Sequence, residues 1–272
     1  MSPLTQQYVN SSQEDFLPQL IVGSAQSVGR QRDHNEDSLF TLATTFASHQ
    51  GNIPFGLFII ADGMGGHQHG EIASEIATMT MVEYVSKNIF SSLFKVNAQP
   101  FEGSLQEILA NGVQESHEKI LQYASGGGTT LTTVIILGHQ MAIAHVGDSR
   151  AYSISQDGTI KALTRDHSFV SRLVELEQIT PAEAAVHPRR NVLYRAMGQE
   201  SPVDPEIIVT SAPKNCSLMI CSDGLWGEIT EKEISAITLI AQTPQQACQL
   251  MVDAANAAGG PDNISAIMVK LP

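Results

Sequence analysis

Residues 131–146 read Leu131-Thr132-Thr133-Val134-Ile135-Ile136-Leu137, then Gly138-His139-Gln140, then Met141-Ala142-Ile143-Ala144-His145-Val146. Each flanking run has the length and the apolar, β-branched composition of a strand. The linker is hairpin-sized, which calls for antiparallel pairing of the two runs. Similar runs lie on either side, at Phe55–Ala61, Ala151–Ile154, Ser217–Cys221 and Ile264–Val269. Helical signals come in blocks between them. Ala73, Ile76, Ala77, Met81 and Tyr84 form one stripe at three- and four-residue spacing. Ser104 with Glu107 predicts a capping box ahead of Leu105, Ile108, Leu109, Val113 and Ile120. Thr230 with Glu233 repeats that start signal, Thr243-Pro244 puts proline at a first helical position, and Gly259-Gly260-Pro261 ends the last helix. Two early helices, clustered strands, then two helices before a final strand predict a layered α+β fold, not an alternating parallel sheet.

Residues 1–20 are polar without periodicity and read as a flexible tail, with a single domain expected over residues 21–272. Within it, residues 166–196 stand apart. Thr180-Pro181-Ala182-Glu183 is a further helix start, and His187-Pro188-Arg189-Arg190 is basic. This stretch is either an ordinary connection or a substrate-facing flap, because long loops in compact domains tend to carry function.

Of 272 residues, 28 are acidic and 15 basic, a net charge of −13. Such a surface repels nucleic acid and anionic lipid, so neither is expected as a partner. Cys216, Cys221 and Cys248 form no CxxC pair and leave one odd, so a reducing, cytoplasmic setting is expected and no disulfide framework. The N-terminal residues lack the basic start and apolar core of a signal peptide, and no apolar run is long enough to span a bilayer.

Four segments share one design, an aspartate beside small residues at or just beyond a buried strand. They are Ala61-Asp62-Gly63-Met64-Gly65-Gly66, Val146-Gly147-Asp148-Ser149-Arg150, Cys221-Ser222-Asp223-Gly224 and Gly260-Pro261-Asp262-Asn263. A lone Asp-Gly is usually a turn. Four in like settings point elsewhere, since clustered carboxylates repel one another and a hard divalent cation relieves the repulsion. Glycine beside them lets a main-chain carbonyl approach a cation as well. Arg32-Asp33-His34-Asn35-Glu36-Asp37 adds a guanidinium, whose planar fork suits phosphate oxygens, and more carboxylates. Cation ligands with a cation for an anionic substrate point to phosphoryl chemistry.

On these residues the sequence resembles the PP2C, or PPM, family of metal-dependent protein serine/threonine phosphatases in its compact bacterial form. The matching elements run in family order from about residue 23 to the end. Besides those above they include Gly70-Glu71-x-Ala73-Ser74, Gly128-Thr129-Thr130, Thr164-x-Asp166-His167-Ser168, Arg195-Ala196-Met197-Gly198 and Asp223-Gly224-Leu225-Trp226. The resemblance implies an α-β-β-α sandwich of two antiparallel sheets flanked by helix pairs, with residues 166–196 as a small helical flap. It implies that Asp62 bridges two Mn2+ or Mg2+ ions, that the Gly63 carbonyl binds one, and that Asp223 and Asp262 bind the other. Asp148 with Asp223 would hold a third. Glu36, Asp37 and Asn263 would support the ligands, the first two organising bound waters. Arg32 would grip the substrate phosphate, and His187, Arg189 and Arg190 of the flap would contact substrate. The implied reaction is direct attack of a metal-bridging hydroxide on phosphoserine or phosphothreonine, with Arg32, Asp62 and Asp223 as the catalytic set. The implied partners are phosphorylated proteins, targets of a Ser/Thr kinase, and the chain is expected to act as a monomer.

One position departs from the eukaryotic pattern. Met64 stands where those enzymes carry a histidine proposed as general acid, and a thioether cannot donate a proton. Water on a third cation at Asp148, or His67, would have to serve instead. His67-Gln68-His69 as a zinc motif is disfavoured because the ligands are oxygen-rich. Cys221 reads as a core residue, without the Gly-rich loop and arginine of a cysteine phosphatase. Two other readings remain open: a catalytically weak binding module and a domain that uses cations only for stability.

Overall fold

A computed structural model describes residues 19–48, 51–65, 68–90, 103–199 and 202–272. The expectations for most of the tail, for Gly66 and for His67 lie outside the described residues. Two antiparallel sheets face each other. The first runs β1 (Ile21–Ser27), β11 (Ile264–Lys270), β10 (Cys216–Cys221), β7 (Arg150–Ser155) and β8 (Ile160–Ala162). The second runs β2 (Asp37–Ser48), β3 (Gly51–Met64), β5 (Leu131–Leu137), β6 (Gln140–Val146) and β9 (Glu206–Ser211), with β4 (Gly128–Thr129) pairing the end of β3. Helices α1 (Gln68–Val85) and α2 (Leu105–Tyr123) cover the second sheet. Helices α6 (Glu231–Ile240) and α7 (Pro244–Ala258) cover the first. Three short α-helices, α3 (Phe169–Glu175), α4 (Pro181–Ala185) and α5 (Asp223–Trp226), and a π-helical turn at Ser86–Phe90 after α1 complete the described set. Among the described residues this is the α-β-β-α sandwich that the resemblance implies.

The near-continuous apolar strands follow from burial on both faces. In β3, Phe55, Leu57, Ile59 and Ala61 pack toward α1 and α2, while Phe58 and Ile60 fill the space between the sheets. The same alternation divides β10, with Met219 and Cys221 under the helices and Leu218 and Ile220 between the sheets. A strand with successive side chains on opposite faces needs apolar residues throughout when both faces are covered. β2 and β9 are edge strands with half-exposed residues, which explains their weak hydrophobic signal.

The β5–β6 hairpin forms as its sequence predicts, Leu137 opposite Gln140, with Gly138 at φ +60°. Thr230–Glu233 and Thr180–Glu183 form reciprocal capping boxes. At Ser104 only the forward half is made, the Ser104 side chain accepting from the Glu107 N–H. Gly259 at φ +141° ends α7. Cys216, Cys221 and Cys248 are buried free thiols, and burial pushes those of Cys221 and Cys248 up to about 12. Among the described residues no helix is long and apolar enough to cross a membrane.

Candidate metal centre

Strand register brings the aspartates to one end of the sandwich. Asp37, first in β2, lies directly across the ladder from Asp62 near the end of β3. Asp148 sits in the turn joining β6 to β7, and Cys221, last in β10, pairs with Arg150, first in β7. Asp223 therefore opens α5 beside that turn, and Asp262 lies two residues before β11, which borders β10. Asp62, Asp148, Asp223 and Asp262 all line one cleft of about 600 Å³, together with Gly63, Met64, Glu36, Arg32 and Asn263.

The cleft is electrostatically strained in the cation-free chain. Burial, then repulsion from Asp37, Asp223, Asp148 and Asp262, holds the Asp62 carboxyl well above the usual range. Burial and then Asp223 and Asp166 do the same to Asp148, against Arg150. Burial pushes Asp37 up to about 7, although the hydroxyls of Ser265 and Ser222 donate to its Oδ2 at 2.6 and 2.8 Å. Burial and Asp262 push Asp223 up to about 6, opposed by a hydrogen bond with Asp62 and by the Gly224 N–H. Two carboxyls can share a hydrogen bond only if one keeps a proton. A divalent cation does the work of that proton at neutral pH.

Divalent cations fit this donor set. The side chains offered are carboxylates, the ligands of Mg2+, Mn2+ and Ca2+. Among the described residues the buried Asp37 Oδ1 has no hydrogen-bond partner, so it can accept from a water or bind an ion. Among the described residues no three His, Cys, Asp or Glu side chains come together closely enough to hold an ion by themselves. Backbone oxygen and water must therefore contribute, which suits Mg2+ and its retained waters. A Cβ on Gly63 would run into the carbonyls of Gly70 and Glu36, so only glycine permits this backbone path.

Motifs with no assigned role turn out to hold the candidate ligands. Thr130 Oγ1 accepts from the Asp62 N–H at 3.0 Å, and the Asp62 carbonyl accepts from Thr130 N and Thr129 Oγ1, both at 2.9 Å. Trp226 Nε1, at the end of the helix that Asp223 opens, donates to the Asp148 carbonyl at 2.9 Å. Arg150 lies 3.5 Å over the Trp226 ring and grips Asp166 with two bonds of 2.9 and 2.7 Å. His167 Nδ1 accepts from Gly147 N at 3.1 Å, and its own N–H donates to the Gly147 carbonyl at 2.7 Å. Asn263 is a clamp: its Nδ2 donates to the carbonyls of Val28 and His34 and its Oδ1 accepts from Glu36 N.

Not every candidate falls where the sequence suggests. Arg32 lines the cleft, but its Nη2 is 2.7 Å from Asp262 Oδ2, with half its side chain exposed. His187, Arg189 and Arg190 do not line the cleft; Asn191 and Leu193 of the same excursion do. Arg189 instead stacks 4.1 Å over Phe169. His34, Ser222 and Ser265 carry no signal in the sequence, since a serine or a histidine between motif positions is ordinary until the register places it.

Comparison with known proteins agrees with this architecture. The sequence profile of Protein phosphatase 2C matches residues 21–264. The "Serine/threonine phosphatase stp" of Listeria monocytogenes is 35% identical over 248 residues, 89% of this chain and 92% of that one. A serine/threonine phosphatase structure from S. agalactiae superposes with a TM-score of 0.75 at 32% identity, over 93% of this chain and 100% of that one. The catalytic domain of serine threonine protein phosphatase PstP, solved in complex with 2 manganese ions, gives 0.76 at 27% identity over 93% and 98%. With a family profile spanning most of its length and the aspartates gathered at one end of the sandwich, the chain belongs to the protein phosphatase 2C family.

Proposed function

We propose that this protein is a divalent-metal-dependent phosphatase acting on phosphoserine and phosphothreonine in proteins. The observation that carries the reading is the convergence of Asp62, Asp148, Asp223 and Asp262 in one cleft. Family membership and relatives named serine/threonine phosphatases support the substrate class.

Asp62 would be shared by two Mn2+ or Mg2+ ions, with the Gly63 carbonyl on one and Asp223 and Asp262 on the other. Asp148 and Asp223 are the pair for a third. When bound, the cations activate water toward phosphorus and offset the charge of the phosphoryl group. The rest falls to the chain. Thr129 and Thr130 fix the Asp62 backbone, so the carboxylate does not swing when substrate arrives. Trp226 fixes the Asp148 turn relative to the helix that carries Asp223. Arg32, half exposed at the cleft, exchanges Asp262 for a phosphate oxygen pair, a charge-assisted contact of similar kind. Asp37, held by two serine hydroxyls, orders water through its second oxygen.

The test is hydrolysis of an aryl phosphate and of a phosphothreonine peptide with manganese, with and without chelator. Turnover of both that disappears with chelator is expected. Folded protein with no manganese-dependent turnover would leave only a binding module.

A further inference from the structure

Met64 lines the cleft at the position where the resemblance places a proton donor, and its sulfur has no proton to give. A serine or threonine alkoxide is a strongly basic leaving group, so protonation as the P–O bond breaks lowers the barrier. Among the described residues lining the cleft, His34 is the imidazole. Its Nε2 lies 3.0 Å from Glu36 Oε1, with 48% of the His34 side chain exposed against 14% for Glu36. Both residues line the cleft, the carboxylate largely covered and the imidazole half exposed.

Its backbone is fixed at both ends. Asn263 Nδ2 donates to the His34 carbonyl at 2.9 Å, and Asn263 Oδ1 accepts from Glu36 N at 2.8 Å. The Glu36 carbonyl in turn accepts from Gly63 N at 3.1 Å and Ser74 Oγ at 2.6 Å. The pair is thereby pinned between the residue after Asp62 and the residue after Asp262. An imidazole oriented by a carboxylate and positioned against a reacting centre is the arrangement of a general acid or base.

We propose that His34, oriented by Glu36, gives the proton to the leaving serine or threonine oxygen, the role that Met64 cannot fill. The proposal rests on the phosphatase reading above. In the step, the ester P–O bond breaks, its electron pair stays on the leaving oxygen, and that oxygen takes the imidazolium proton. The oxygen of the attacking water forms the new P–O bond, and its proton passes to solvent. The neutral imidazole regains a proton from solvent before the next turnover.

The experiment compares kcat/KM of the full chain with manganese on phenyl phosphate, whose leaving oxygen is strongly basic, and on 4-nitrophenyl phosphate, whose phenolate leaves unaided. For His34→Ala, phenyl phosphate turnover should fall by about 100-fold or more while 4-nitrophenyl phosphate changes by less than about 3-fold. His34→Gln keeps a hydrogen bond to Glu36 but has no proton to transfer, so it should give the same split. Equal losses on both esters, or no loss on either, overturn the proposal. So does a split found in His67→Ala and absent from both His34 variants. If the unaltered protein turns over neither ester, the phosphatase reading fails and the His34 assignment falls with it; turnover without the split sinks the assignment alone.

Discussion

Asp62 faces Asp37 across the β2–β3 ladder, and burial, then repulsion from Asp37, Asp223, Asp148 and Asp262, makes its carboxyl harder to ionise. Asp62→Asn removes that repulsion and keeps an amide able to bond Asp223. Turnover should drop below detection, while the chelated protein gains on the order of 1–2 kcal/mol of stability. Denaturant melts in chelator check this; a variant less stable than the parent would refute the electrostatic account. Arg32 makes a different prediction. Arg32→Ala loses a charge-assisted contact to phosphate, on the order of 1.5–3 kcal/mol, so KM should rise about 10- to 100-fold with kcat less affected. An unchanged KM would remove Arg32 from the phosphate site and leave it as the partner of Asp262 alone.

At the scale of elements, the site depends on turns that only particular residues can form. Gly147 has φ +108°, and a Cβ there would lie 2.6 Å from Thr130 Cβ and Cγ2. Thr130 also holds the Asp62 N–H and bonds Ser149 Oγ at 2.8 Å, so displacement there reaches two candidate ligands together. Gly147→Ala should cost about 2–4 kcal/mol in strain and overpacking and lower Tm by roughly 5–10 °C. Gly126 is the control: φ is +88°, yet a Cβ would meet nothing within 4 Å. Gly126→Ala should cost only the backbone strain, about 1 kcal/mol, and leave manganese affinity intact. Calorimetric titration separates the two; equal loss of affinity would show that the Gly147 turn has no special coupling to the site. The excursion containing α3 and α4 shows what sequence leaves open at this scale. Its helix starts are legible from Thr180–Glu183, but which flank faces the cleft is not. Periodicity reports a helix's faces without saying which neighbour each will meet.

For the whole molecule, the buried charges set a pH dependence that cations should remove. Asp37 at about 7, Asp223 at about 6, and the raised Asp62 and Asp148 keep protons that the unfolded chain, with carboxyls near 4, has lost. The folded state binds more protons, so these groups make cation-free stability fall as pH rises from about 4 through their folded values, and the fall ends above them. Buried His145 and His167, at about 3 and 4, have the opposite sign, since the unfolded chain binds their protons up to about pH 6.5. Below about pH 6.5 the two histidines offset part of the effect of the four carboxyls. In chelator, Tm should fall between about pH 5 and 6, where the four raised carboxyls outnumber the two histidines. Saturating manganese should abolish that slope and add about 2.7 kcal/mol at a hundredfold excess over Kd. A flat profile in chelator would mean that the carboxyls are not protonated in the folded chain.

The amino-acid sequence by itself determined the layers and the chemistry. Strand runs, hairpin linker, caps and terminating glycines are local signals, and each Asp beside glycine at a strand end is visible without coordinates. Family motifs in order then identify those aspartates as a set. Tertiary structure alone decided which side chains meet: Asp37 opposite Asp62, Arg32 on Asp262, Asn263 clamping the 28–36 loop, and His34 on Glu36 within the cleft. Most of these join residues far apart in the chain, or rest on a register in which a one-residue slip turns every side chain to the other face. The choice of register is made by burying both sheets at once, and no single segment contains that information.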